Sequence, residues 1–379
     1  MGHLSRFLNY RRLRDYPRLM LLVVALVLSA NVALRTGWLG GLGQVIGSDF
    51  ITLYAAGTAY RSDPASLYDF RMQEAIQQQL VAPSVLPGLN PYISPPYVAM
   101  GYSVLTYVPL EVAFVAWQIL TVAAVMCAAA ILSRRLLAPA LRRRGMTTIQ
   151  LVVITLSCFG FVEGFIVGQN HGVTLLLATL AVICSLRGMD LPAGLCAGAL
   201  IYKPQLAVGL LLVWLLWGRY RSLLGFAATA GIWVGTSLVL GGTEPFRTYV
   251  MLSDQLLRLP YTPGFPAYLM VTPYGLLATI FGDFWLNSTQ WFATVWAMVA
   301  TIALAAVAWR SRRVPAAQRG AVLAGALLYP LVVAPYTLLH DLVLLVPVFG
   351  LLSAGRGPER NLLYLAAFSY IGMLAFTFI

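Results

Sequence analysis

Charge is what this sequence lacks. Of 379 residues only 10% are Asp, Glu, Lys or Arg, where about 25% is usual for a soluble domain. A chain so poor in charge cannot cover a water-facing surface. Lysine is all but absent, since Lys203 stands alone against 24 arginines. The three histidines are too few and too scattered for a metal cluster, and their spacing fits no zinc pattern. The four cysteines, Cys127, Cys158, Cys184 and Cys196, fall inside apolar runs without ligand spacing and read as small buried hydrophobes. There is no Walker loop, dinucleotide fingerprint or serine-nucleophile elbow, which argues against nucleotide hydrolysis.

What is present is apolar. Hydrophobic residues make up 60% of the chain, and the mean hydropathy is +0.80. The expected class is an all-α, polytopic membrane bundle. A span needs about 20 apolar residues. Candidate runs lie at 19–35, 111–133, 149–168, 172–187, 222–241, 290–309, 320–336, 339–354 and 361–379. Two broken ones lie at 193–217, interrupted by Lys203-Pro204, and at 268–283. The expectation is a single domain over 1–379 with ten to twelve crossings. Five arginines precede the first run, as in a signal peptide, but no small-residue cleavage site follows before Trp38, so this run reads as a retained helix.

The formal charge of +12 does not call for a nucleic-acid partner, because the arginines sit between apolar spans. Nineteen of the 25 basic residues cluster at 6–18, 134–144, 187, 219–221, 310–319 and 356–360. The positive-inside rule places those clusters and the N-terminus in the cytoplasm. The expected location is the inner (plasma) membrane. The long polar segment 36–97 is then outside. It holds two short helices, one around Tyr54–Tyr60 and an amphipathic one over Leu67–Leu80 that could lie on the membrane surface, followed by a Pro/Gly-rich stretch.

Four places carry chemistry-bearing side chains among apolar neighbours. Asp49, in Gly47-Ser48-Asp49-Phe50, suits a general base, or else caps the following helix. Lys203, a lone cation at a helix break, suits an anion such as phosphate, or else snorkels to the interface. Glu163 with Gly168-Gln169-Asn170-His171 interrupts a helical hairpin, and these groups either bond sugar hydroxyls or cap the helix ends. His340-Asp341 could bind phosphate or relay a proton. Asp63 and Asp69 read as turn or cap acids. Two classes fit: an enzyme acting on a lipid-linked substrate, and a carrier or flippase for a lipid-linked or polar solute. A carrier is expected to show internal repeats, and none is visible.

The sequence also resembles glycosyltransferase family 87, the alpha-1,2-mannosyltransferase-like members of the GT-C superfamily. The resemblance rests on Asp49 through Gly57 and on to Leu67-Tyr68-Asp69, then on Tyr92-Ile93-Ser94-Pro95-Pro96, Gly168-Gln169-Asn170, Tyr202-Lys203-Pro204-Gln205, and Ala334-Pro335-Tyr336 to His340-Asp341. Asn170 follows Gln169 directly, where the family pattern has a spacer. The resemblance implies transfer of a hexose, usually mannose, from a polyprenyl-phosphate donor to a lipid or glycan acceptor outside the cytoplasm, with inversion. It implies Asp49 as the base and Lys203, His340 and Arg258 (or Arg247) at the donor phosphate. It implies Tyr54, Tyr92, Gln169, Asn170, Gln205 and Asp341 around the sugar and acceptor. No cofactor is implied, and a divalent ion shared by Asp49 and another outer acid stays open.

Overall fold

The computed structural model describes residues 10–136, 147–256, 269–281, 286–315, 319–334 and 337–353. Arg258, Pro335, Tyr336 and the apolar run 361–379 lie outside the described residues. Within them the chain is all-helical, with no strand and three isolated bridges between loop residues.

Helix α1 (Tyr10–Ala33) leads into α2 (Ser48–Ser62), α3 (Phe70–Val81) and α4 (Pro96–Ser103). Then follow α5 (Leu110–Arg135), α6 (Thr148–Leu156), α7 (Phe159–Val167), α8 (His171–Leu186) and α9 (Asp190–Gly198). A 3-10 turn, Ala199–Tyr202, ends α9 at Lys203, and Pro204 opens α10 (Gln205–Leu216). The remainder is α11 (Tyr220–Gly241), α12 (Glu244–Leu256), α13 (Pro273–Phe281), α14 (Leu286–Ser311), α15 (Gly320–Val333), a 3-10 segment Leu339–Leu344, and α16 (Leu345–Ser353).

Among the described residues four helices are long and apolar enough to cross a bilayer alone: α1, α5, α11 and α14. The pair α6–α7, bent by 63°, is either a fifth, broken span or a re-entrant loop. The other apolar helices, α8, α9 with its 3-10 turn, α10, α15 and the 339–352 helix, are shorter than a full crossing. The apolar runs therefore sit where expected, but about half of them stop short. The bend at Ser157-Cys158 has a local cause. Thr155 and Ser157 turn their hydroxyls back onto the carbonyls of Leu151 and Ile154, which competes with the helix ladder.

Lipid gives helices no hydrophobic reason to associate, so close backbone approach matters more. Helices α9 and α11 meet through glycine: a Cβ on Gly194 would stand 1.9 Å from the Ser222 carbonyl oxygen, and one on Gly198 2.7 Å from that of Phe226. Conversely, Ile119, Ile232, Val239 and Trp291 point outward, which suits a lipid-facing surface.

The arginine-bearing ends converge. Arg219 donates to the Ser185 carbonyl and to Asp190 Oδ1 at 2.9 Å. Its guanidinium and that of Arg319 both lie over the Trp217 ring, at 5.4 and 4.8 Å. Trp217 in turn donates to the Ala308 carbonyl at the end of α14. Helices α8, α10 and α16 run away from the opposite end, and α9 and α15 run towards it. There the helix tips gather beneath the segment 36–97.

That segment is folded, and several of its polar side chains, Thr52, Gln73, Gln77 and Ser84 among them, are buried. Asp69 caps α3, accepting from the N–H groups of Arg71 and Met72, and Asp63 caps the short turn at Pro64. The amphipathic helix expected over Leu67–Leu80 exists as α3, and three of its glutamines, Gln73, Gln77 and Gln78, face the protein while Gln79 is exposed. Gln73 accepts from Tyr92 N–H at 2.8 Å while donating to the Leu67 carbonyl. Gln77 exchanges both bonds with the backbone of Asn90, and Gln78 grips Ser84 and Leu86. Each side-chain amide thus acts as a rung between α3 and the irregular stretch 84–92. Without them, that stretch would bury unpaired backbone groups at about 1–3 kcal/mol each.

Two apolar cores result. One fills the bundle of α5, α8, α9, α10, α15 and α16. The other lies within the segment 36–97 and its neighbours, built from α2, α3, α4 and the start of α5. Tyr202 packs against both. The residue after it is Lys203, so the lone lysine stands at the seam.

Candidate active site

Asp49 is in the first turn of α2 but does not cap it. Gly47 takes the cap position in a left-handed conformation, φ 69°, and its N–H bonds the Ile166 carbonyl of α7 at 3.0 Å. The Asp49 side chain is thereby released from its local role. One carboxylate oxygen accepts from Asn90 Nδ2 at 3.0 Å, the other from Gln169 Nε2 at 2.5 Å. Asp49 is half-buried, at the positive end of a helix, and held from two sides by neutral amides.

Both amides are themselves located by backbone. Asn90 is fixed by Gln77 of α3 and by Thr52 of α2, whose hydroxyl donates to the Asn90 carbonyl at 3.1 Å. Gln169 sits in the tight turn between α7 and α8. Gly168 ends α7 at φ 78°, and a Cβ there would stand 2.6 Å from Phe50 Cβ. Only glycine meets both conditions. Helix α5 latches the same turn, with Gln118 donating to the Phe165 carbonyl and Trp117 to that of Gln169.

The far side of this turn reaches the second group. His171 opens α8, fully buried and edge-on to Phe161 at 4.8 Å. A Cβ on Gly164 would lie 2.5 Å from His171 Nδ1 and 2.8 Å from His340 Cβ, so α7 passes tightly between the two histidines. Lys203 Nζ lies 2.8 Å from His340 Nε2 and donates to Asp341 Oδ1 at 2.8 Å. His340 Nδ1 lies 3.0 Å from Glu163 Oε2. The Lys203 and Glu163 side chains keep 18% and 15% exposure, whereas His340 and Asp341 keep 1%. Lys203 is thus a member of a buried polar cluster and does not snorkel.

The two groups are neighbours. Tyr102 of α4 lies within electrostatic range of both Asp49 and Tyr202. Tyr202 shares a hydrogen bond of 2.7 Å with Thr174 of α8, and Tyr97 of α4 donates to the Ile201 carbonyl at 3.1 Å. Helix α4 therefore clamps the tip that carries Lys203 beneath the segment that carries Asp49.

A family model described as glycosyltransferase family 87 matches residues 92–335, well over half of the chain. The chain belongs to glycosyltransferase family 87. No curated protein and no solved structure matches it. This family 87 chain is accordingly a membrane glycosyltransferase. Glu163, Gln169, Asn170, Lys203 and Gln205 lie inside the matched stretch, and Asp49, His340 and Asp341 outside it.

The remaining expected residues divide clearly. Gln205 is half-buried at the start of α10, two positions past Lys203. Asn170 is buried beside Gln169, and its Oδ1 finds no hydrogen-bond partner in the structure. Tyr54 and Tyr92, expected around the sugar, engage nearby backbone groups through their hydroxyls. Tyr54 donates to the Val108 carbonyl at 2.7 Å, and Tyr92 donates to that of Pro95 and accepts from Ala99 N–H. Burial pushes the Tyr92 hydroxyl well above the usual tyrosine range. Arg247 is exposed on α12. Asn90 was not among the expected residues, and its only sequence signal is an Asn-Pro turn after a glutamine-rich helix.

Proposed function

We propose that this enzyme moves a hexose, mannose by preference, from a polyprenyl-phosphate donor to an acceptor hydroxyl on the non-cytoplasmic side of the inner membrane. The reading rests on one observation: a carboxylate clamped by two amides stands at the same end of the bundle as a largely buried ammonium that keeps 18% exposure. Asp49 takes the proton of the acceptor hydroxyl as its oxygen attacks the anomeric carbon. The bond from that carbon to the phosphate oxygen breaks on the opposite face, so the configuration inverts. The leaving polyprenyl phosphate departs with the bonding electrons, and Lys203 meets its growing charge. Asp49 then returns the proton to solvent.

Helix lengths support a recessed site. Helix α10 has 12 residues, which spans about 18 Å. If its arginine-bearing end lies at the cytoplasmic face, Lys203 sits below the outer headgroups of a roughly 30 Å hydrocarbon layer. A donor tethered by an isoprenoid tail can present its phosphate at that depth, and a free nucleotide sugar cannot do so easily. The arginines at 219, 312 and 319 and the N-terminus then face the cytoplasm, following the positive-inside rule.

The test uses purified protein in lipid, polyprenyl-phosphate mannose and a membrane-lipid extract as acceptor, read as release of polyprenyl phosphate. Release with wild-type protein is expected, and Lys203→Ala should weaken donor affinity. Tight donor binding with no release from any polyprenyl-linked hexose would overturn the proposal in favour of a carrier.

A further inference from the structure

Glu163 takes no part in the chemistry just described, yet it is held in the same buried cluster. Hydrogen-bond bookkeeping shows what it does there. A lysine ammonium has three N–H donors and no lone pair. Its approach to His340 Nε2 at 2.8 Å therefore requires a lone pair on that nitrogen. The ring proton must then sit on Nδ1, which is the atom 3.0 Å from Glu163 Oε2. One arrangement satisfies both contacts: Glu163 accepts from Nδ1–H, and Nε2 accepts from Lys203. Asp341 Oδ1 accepts a second Lys203 proton at 2.8 Å. Two of the three ammonium protons are thereby engaged, and the third is left for a further acceptor on a side chain that keeps 18% exposure.

Burial supports the same assignment. At 1% exposure, His340 and Asp341 cannot reach a phosphate, and both stand behind Lys203. The resemblance to family 87 implied His340 at the donor phosphate, whereas its place in the structure is one layer further in. With His340 neutral, Asp341 already opposes the ammonium charge. What Lys203 offers an anion is then chiefly the direction of its remaining N–H. A carboxylate that sets the proton position on an imidazole, which in turn orients a further group, is a recurrent device in binding sites.

We propose that Glu163 is a positioning residue for the donor-phosphate site: it holds His340 as the neutral Nδ1–H tautomer, and His340 together with Asp341 aims the Lys203 ammonium at the phosphate. The proposal rests on the donor reading given above for its ligand, but not for its tautomer. It is tested first without substrate. The chain has three histidines, His3, His171 and His340, so a nitrogen-15 spectrum of histidine-labelled protein in lipid is simple, and His340 is the signal lost in His340→Asn. The expected result at neutral pH is one protonated ring nitrogen, Nδ1, and one bare nitrogen, Nε2. An imidazolium, or a proton on Nε2, would overturn the proposal.

Glu163→Gln should shift that tautomer balance and weaken polyprenyl-phosphate hexose binding about tenfold or more, with kcat changed far less. Glu163→Asp, which keeps the carboxylate, should recover most of the affinity. Unchanged donor affinity in Glu163→Gln would overturn the positioning role. If wild-type protein ignored the donor while the spectrum was as expected, the fault would lie with the donor reading, and the tautomer would stand.

Discussion

Asn90→Ala removes one of the two amides that hold the Asp49 carboxylate. The bond is 3.0 Å long, half-buried and made to a carboxylate oxygen, and hydrogen bonds to charged groups contribute roughly 1.5–3 kcal/mol. Gln169 still holds the other oxygen, so the carboxylate becomes loose and is not lost. Much of the bond's value therefore appears as misplacement of the base. At about 1.4 kcal/mol per factor of ten, kcat should fall about 10–100-fold, in line with the cost of small positioning errors in active sites. Donor KM should move much less, because Asn90 touches neither Lys203 nor its cluster. Asn90→Asp should be worse than Asn90→Ala, since it sets a second carboxylate against the first. Steady-state release of polyprenyl phosphate by the three proteins decides the matter. Wild-type kcat in both variants would refute the claim that the amide clamp positions the base.

Other outcomes follow from the same contacts. Gly168→Ala places a Cβ 2.6 Å from Phe50 Cβ at φ 78°, adding about 1–2 kcal/mol of left-handed strain to the clash. Its activity should drop together with its thermal midpoint in lipid, and a stable, active variant would contradict the turn's role. Gln77→Ala leaves the Asn90 N–H without its partner at about 1–3 kcal/mol, so limited proteolysis should cut the 83–91 stretch faster than in wild type. Tyr68 and Tyr92 are raised above the normal tyrosine range, chiefly by burial. A raised tyrosine favours the folded state below the unfolded pKa, and that contribution is lost as pH climbs past about 10. The segment 36–97 should therefore loosen only in strong alkali, with tyrosinate absorbance and proteolysis rising together; tyrosinate from these two residues while the segment stays intact would contradict it.

The parts of this site that were legible in the sequence share a feature: a polar residue where the apolar pattern has no use for one. Lys203 before Pro204, Asp49 beside Phe50, Gln169 in a hairpin turn and His340-Asp341 all break apolar runs, and the structure gathers them at one end of the bundle. What stayed hidden depends on contacts across sequence distance. Asn90 looks like any Asn-Pro turn until Gln77 fixes its backbone, and Gln73, Gln77 and Gln78 read as part of a helix suited to a membrane surface until they meet the 84–92 stretch. Tyr54 and Tyr92 have hydroxyls that suit a sugar, yet neighbouring carbonyls claim them. Hydropathy finds apolar runs and not where each helix stops, so the runs 172–187 and 320–336 read as crossings, whereas α8 and α15 are shorter than a full span. Helix α12, polar on one face, escaped a search for apolar runs altogether. The Gly194–Gly198 pair was readable as close-packing spacing, because small residues four apart permit such contact in lipid.

The central claim is that Asp49 deprotonates the acceptor. Asp49→Asn keeps the side chain's shape and removes its basicity, and a general base typically contributes about 10²–10⁴-fold. In lipid, with polyprenyl-phosphate mannose and a competent acceptor, the variant should lose transfer by about that factor while binding the donor nearly as tightly as wild type. Transfer at the wild-type rate by Asp49→Asn would contradict the account.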